Sequence, residues 1–128
     1  MLEVGIATYV DASFDEAVAR AESALKAEGF GVLTRIDVKA TLKEKLGIDR
    51  DPFVILGACN PPFAHRALEI EPQVGMLMPC NVVVRLEAGR VRVEAMNAQL
   101  MASMFPEAGL DAVADEVTAR LRRVIAAL

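Results

Sequence analysis

Side chains able to do chemistry are scarce in this chain. Its 128 residues hold one histidine and two cysteines, and the cysteines form no C-x-x-C pair of the kind that marks a zinc or dithiol site. There is no G-x-S-x-G elbow, no P-loop and no Rossmann glycine pattern. No apolar stretch approaches the roughly 20 residues of a membrane span. No basic segment followed by an apolar core and a cleavage site opens the chain. A soluble, cytoplasmic protein with no membrane partner is expected. Positive charge is short as well. Fourteen Lys and Arg stand against eighteen Asp and Glu, a net charge of −4. The basic residues are dispersed rather than clustered with aromatics, which argues against a nucleic-acid partner.

What the chain has is apolar mass. With 54% hydrophobic residues it is the size of one ordinary domain, residues 1–128, able to bury roughly two thirds of its unfolded surface without metal or disulfide staples. In a reducing compartment the two cysteines are expected as free thiols. A bond between them would close a loop able to contribute roughly 3 kcal/mol.

The pattern along the chain is that of an α+β domain. Residues 2 to 10 alternate Leu2, Val4, Ile6 and Thr8 against more polar neighbours, a first strand. Ser13 opens a helix, with Glu16 completing a capping box. Ala17, Val18, Ala21, Ala24 and Leu25 recur at helical spacing until Gly29. Phe30 to Ile36 reads as a second strand. Asp37 caps a short helix in which Val38, Leu42 and Leu46 share a face and Lys39, Lys43 and Lys45 lie on the wet side. Phe53 to Ala58 is apolar throughout, as for a strand covered on both faces, either central or at a dimer interface.

Asn60 followed by Pro61 reads as an N-cap with proline at N1, opening a helix over 61 to 71. There Phe63, Ala67 and Ile70 form the apolar side, and His65 and Glu69 fall together on the other. A fourth strand runs from Cys80 to about Leu86. Ala88-Gly89 turns it into a fifth, in which Val91, Val93 and Ala95 alternate with Arg90, Arg92 and Glu94. After a short segment from Ala98 to Phe105, Leu110, Val113, Val117, Leu121, Val124 and Leu128 make the stripe of a last helix. Two long helices and about five mostly antiparallel strands give a two-layer α+β fold with helices on one face.

Everything chemically unusual falls between Ile55 and Arg85, which contains both cysteines, the histidine and four of the six prolines. Cys59-Asn60 ends one apolar run and Cys80-Asn81 begins the next. Antiparallel pairing of these runs would bring the two dipeptides to the same edge of the sheet. Cys59, Asn60, His65, Cys80 and Asn81 are therefore the candidate ligand-binding residues. Taken singly, each thiol reads as a small buried apolar group at a strand end. Asn60 reads as a cap, Asn81 as an amide bonded to nearby backbone, and His65 as the surface partner of Glu69. The methionines, among them Met96, Met101 and Met104, read as adaptable core filler. A soft-metal site with Met76 or Met78, or a thiol nucleophile at the helix opened by Pro61 with His65 as base, are the chemical alternatives. No catalytic residue, metal ligand or cofactor is assigned.

The blocks FGVLTRIDVKATLKEKLGI at 30–48, ILGACNPPFAHRAL at 55–68 and LMPCNVVV at 77–84 resemble, in order and spacing, the domain-of-unknown-function 302 family. The resemblance covers most of the chain. It implies a fold rather than an activity: a TATA-binding-protein-like β-α-β(4)-α topology, with the homodimers that some members form. The family's pattern centres on positions matched here by Gly57, Asn60, Pro61 and Pro79, and the cysteines look like a feature of one subset. The expectation is a dimeric, non-enzymatic ligand- or partner-binding module with its site at the sheet edge near Cys59 and Cys80. The alternative is a thiol-dependent enzyme or a redox or soft-metal carrier using Cys59, Cys80 and His65.

Overall fold

A computed structural model of the chain describes residues 3–128. Its five strands are β1 (Gly5–Val10), β2 (Gly31–Asp37), β3 (Phe53–Cys59), β4 (Cys80–Glu87) and β5 (Arg90–Met96). They form one antiparallel sheet in the order β1-β5-β4-β3-β2. Helices α1 (Phe14–Ala27) and α5 (Asp111–Ala126) are the long ones. α2 (Val38–Leu46), α3 (Pro61–Ile70) and α4 (Gln99–Met104) are short, and a 3₁₀ helix spans Pro72–Leu77. With the short helices set aside, the chain runs strand, helix, four strands, helix. No described helix is long and apolar enough to cross a membrane.

Local chemistry sets most boundaries. The Ser13 hydroxyl accepts from the Glu16 N–H at 3.2 Å, the N-cap bond of α1, and donates to the Glu16 carboxylate at 3.1 Å; the carboxylate bonds this hydroxyl rather than the Ser13 backbone N–H of a full capping box. Gly29 ends that helix at φ 86°, a conformation that costs other residues steric strain. The Asp37 carboxylate accepts from the Ala40 N–H at 2.9 Å to start α2. Ala88 and Gly89, both at positive φ, turn β4 into β5 with the twist a two-residue hairpin needs.

The core lies on one face of the sheet. Val54, Leu56 and Ala58 of β3, Val82 and Val84 of β4, Val93 and Ala95 of β5, and Ile6 and Val10 of β1 are buried there. They meet Ala17, Val18, Ala21 and Leu25 of α1 and Val113, Val117, Leu121 and Val124 of α5. Each of the larger side chains removed from water contributes roughly 1.5–3 kcal/mol.

Several local expectations change. β1 begins at Gly5, Val4 is 70% exposed, and Leu2 lies outside the described residues. β3 is an interior strand between β4 and β2, but it alternates: Phe53, Ile55 and Cys59 on its second face are only partly buried. Its continuous hydrophobicity therefore belongs to a half-covered outer face rather than to a second helical layer. The apolar face of α2 buries nothing fully, and Leu46 is 65% exposed. In α3 the inward residues are Phe63 and Ala67. Ile70, expected on the apolar side, is exposed.

The outer face of the sheet divides in two. Over β4, β5 and β1 it is charged, with Arg85 and Arg92 each within 3.4–3.7 Å of the Glu87 and Glu94 carboxylates and the Arg90 guanidinium 3.8 Å from the Tyr9 ring centre. Over β2 and β3 it is apolar, with Ile36 opposite Ile55 and Ile55 opposite Val83.

Candidate functional site

The register pairs Ala58 with Cys80 and Gly57 with Asn81. Cys59 and Cys80 are thus neighbours across adjacent strands, one residue out of step. Both thiols are free and partly buried. Gly57 lies beneath Thr34 and Pro79. A Cβ at this position would overlap the Thr34 hydroxyl and come within 2.8 Å of the proline ring, so the close approach of β2, β3 and the segment entering β4 requires glycine. Beside this point β2 carries an irregularity in register between Val32 and Thr34.

Asn60 ends β3 and opens α3. Its backbone carbonyl accepts from Ala64 N–H at 2.9 Å, but its side chain forms no cap. The amide instead donates 3.3 Å to the Glu28 carbonyl, one of the acceptors left over at the end of α1. The same carbonyl accepts from Arg120 Nη1 at 3.0 Å. The Arg120 guanidinium in turn lies 5.1 Å from the Phe63 ring centre. Asn60 is 7% exposed, and its expected cap is replaced by a tether between α1, α3 and α5. Pro61 and Pro62 at the first two helical positions have no N–H to offer such a cap.

Between α3, α5 and the ends of β3 and β4 lies a cavity of about 310 Å³. Phe30, Phe63, Leu77, Val113 and Val117 form its apolar wall, and Cys59, Cys80 and Asn60 reach it from the sheet edge. The two cysteines and Asn60, three of the five candidates, are therefore brought together. The other two are not. His65 is exposed on α3 and Asn81 is exposed on β4, neither among the lining residues. Among the described residues no ion pair joins His65 to Glu69, and the Asn81 side chain makes no hydrogen bond.

Burial pushes the Cys80 thiol up from its ordinary 9.0 to about 11, and the neighbouring Cys59 adds to the effect. A thiol so placed stays protonated at neutral pH, the opposite of an activated nucleophile. His65 is exposed on α3 and lines no part of the cavity.

Sequence reasoning missed Met96 and Met101, which also line the cavity. Met101 is 7% exposed, whereas Met104 is 60% exposed and no part of the core. The signal available was position rather than alternation: Met96 ends β5 beside the Cys80 end of β4, which becomes legible once the β4–β5 hairpin is drawn.

Comparison with known proteins bears on the whole chain. A crystal structure of an uncharacterized conserved protein DUF302 from Bacillus stearothermophilus is similar to it, with 32% sequence identity, 98% of each chain covered and a TM-score of 0.91. No curated protein matches. The model of the family described as domain of unknown function DUF302 matches residues 6–128, and on that span the chain belongs to the DUF302 family.

Proposed function

We propose that this chain is a homodimeric, non-catalytic binding module that takes a small ligand into the cavity beside Cys59, Cys80 and Asn60. The observation that carries the reading is the cavity itself. Its volume, about 310 Å³, falls at the lower end of the roughly 300–1,000 Å³ typical of small-ligand sites. Its walls are apolar and it holds no carboxylate or imidazole. One N–H of the Asn60 amide is taken by Glu28, and the remaining wall offers a ligand mainly apolar and sulfur contacts.

Support for the dimer comes from the apolar half of the outer face. Leu33 and Ile36 of β2 are 67% and 47% exposed, and Leu46 and Ile48 at the end of α2 are 65% and 48% exposed. β2 is an edge strand with one side unpaired. A second copy covering this surface would bury the side chains that the first leaves in water.

Uptake of N-phenyl-1-naphthylamine, an uncharged dye that brightens in apolar surroundings, tests the cavity. Brightening is expected with the intact chain and is expected to fall in Ala64→Phe, whose ring would project into the space, while the circular dichroism stays unchanged. An equal signal from both proteins, or none from the intact chain, would refute the site. Sedimentation at micromolar concentration tests the dimer: two copies are expected for the intact chain and one for Ile36→Lys, and a single monomeric species throughout would refute it.

A further inference from the structure

Of the described side chains that line the cavity, only that of Asn60 carries oxygen or nitrogen, and half of its amide is left over. The nitrogen donates to the Glu28 carbonyl. It is packed so closely on the end of α1 that a Cβ at Gly29 would stand 3.1 Å from it. With the nitrogen fixed there, the amide oxygen lies on the other arm of the side chain. This oxygen, Oδ1, caps no N–H of α3 and accepts no hydrogen bond among the described residues. Asn60 is 7% exposed, yet Oδ1 is not one of the wholly enclosed polar atoms without a partner, which among the described residues are Arg92 Nε and Thr118 Oγ1. It therefore keeps a small reachable surface on a buried residue of the cavity wall.

A lone acceptor in an apolar wall restricts what can bind. A ligand that fills the cavity excludes water from Oδ1, and an acceptor enclosed without a donor weakens binding. No lining side chain is charged, so an ionised ligand would lose its hydration without gaining a partner. The Arg66 and Arg120 guanidinium groups stand 5.3 and 5.1 Å from the Phe63 ring centre. Neither residue lines the cavity, and Arg120 is engaged by Glu116 and by the Glu28 carbonyl.

We propose that the cavity takes uncharged, mainly apolar molecules that carry one hydrogen-bond donor, a hydroxyl or an N–H, and that Asn60 Oδ1 accepts that bond. The apolar body lies against Phe30, Phe63, Leu77, Val113 and Val117, and the donor end points to the turn from β3 into α3. One side chain then has two duties: its nitrogen joins α3 to the end of α1, and its oxygen reads the ligand. This inference rests on the reading of the cavity as the binding site and names its ligand class.

The test is displacement of N-phenyl-1-naphthylamine from the intact chain at pH 7 by three molecules of similar shape. 4-Propylphenol donates a hydrogen bond, 4-propylanisole cannot, and 4-propylbenzoate is ionised. Burial of apolar surface alone would rank the anisole first. The phenol is expected to displace the dye at about tenfold lower concentration than the anisole, and the benzoate to leave it bound over the same range. In Asn60→Ala the phenol and the anisole are expected to compete equally, with dye uptake by the variant showing that its cavity is intact. The comparison on the intact chain decides the donor preference whether or not the variant folds. An anisole that competes as well as the phenol, a benzoate that does so, or a phenol preference that survives Asn60→Ala overturns the inference. Dye uptake without the phenol preference overturns this inference alone and leaves the cavity reading standing. Absence of dye uptake by the intact chain overturns the two together.

Discussion

The Asn60 side-chain amide donates to the Glu28 carbonyl at 3.3 Å, across 32 positions of sequence. A residue whose neighbour Pro61 advertises it as a local cap thus spends its side chain on the end of a distant helix. It shares that acceptor with Arg120, while Arg123 holds the Glu28 carboxylate at 2.9 Å. Glu28 is where α1, α3 and α5 are joined.

Asn60→Ser separates a tether from a cap. Serine caps a helix as well as asparagine does, but its shorter side chain falls short of Glu28. Both Asn60→Ser and Asn60→Ala are expected to lose about 1 kcal/mol in urea unfolding. A serine variant as stable as the parent would show that capping is what matters here.

Gly57→Ala is expected to cost about 2 kcal/mol or more, because the added methyl meets Thr34 and Pro79. Trimming the neighbour tests the cause. In a Thr34→Gly background the same substitution should cost clearly less, as a double-mutant cycle would report. Additive losses would place the strain elsewhere.

How much of this was legible beforehand follows from how local each signal is. Ser13 with Glu16, Asp37 with Gly47, and Ala88-Gly89 act within a few residues of themselves, so the elements they bound stand where the pattern puts them. The Asn60 side chain, the exposure of Ile70 and Leu46, and the half-open face of β3 depend on what packs alongside, which no short window contains. That Cys59 and Cys80 end up on neighbouring strands was legible because antiparallel pairing places their backbones there, but the register pairs Cys80 with Ala58 and so turns the two side chains to opposite faces. His65 was not placed, since helical periodicity tells which side of α3 it occupies but not that nothing lies opposite.

Val117→Asp puts a charge where α5 meets the sheet, at a side chain 5% exposed. The loss should reach at least about 3 kcal/mol. Val117→Ala, which removes volume without adding charge, should lose about 1–2 kcal/mol. Equal melting temperatures for the aspartate variant and the parent would mean that this face of α5 is wet.

Cys80 makes stability depend on alkaline pH. Its thiol ionises near 11 in the folded chain and near 9.0 ordinarily, so on raising the pH the unfolded chain gives up its proton first. The contribution is intact below about pH 9 and falls as the pH approaches 11, by up to about 2 kcal/mol. Unfolding free energies measured across that window for the parent and for Cys80→Ala should converge as pH rises. Parallel curves would show that the buried thiol carries no such linkage.

The edge position of β1 also imposes an order of events. Gly5 lies opposite Met96 and Val10 opposite Val91, and among the described residues β5 is the one strand paired with β1. A chain emerging from the ribosome therefore carries its first strand unpaired through the synthesis of α1, β2, β3 and β4. Local helix formation in α1 and the β4–β5 hairpin can proceed without it, but closing the sheet waits for a contact between the two most widely separated strands, an entropically slow step. Until then Ile6 and Val10 are exposed on a free strand edge, which makes the nascent chain most open to misassociation in the interval before β5 appears.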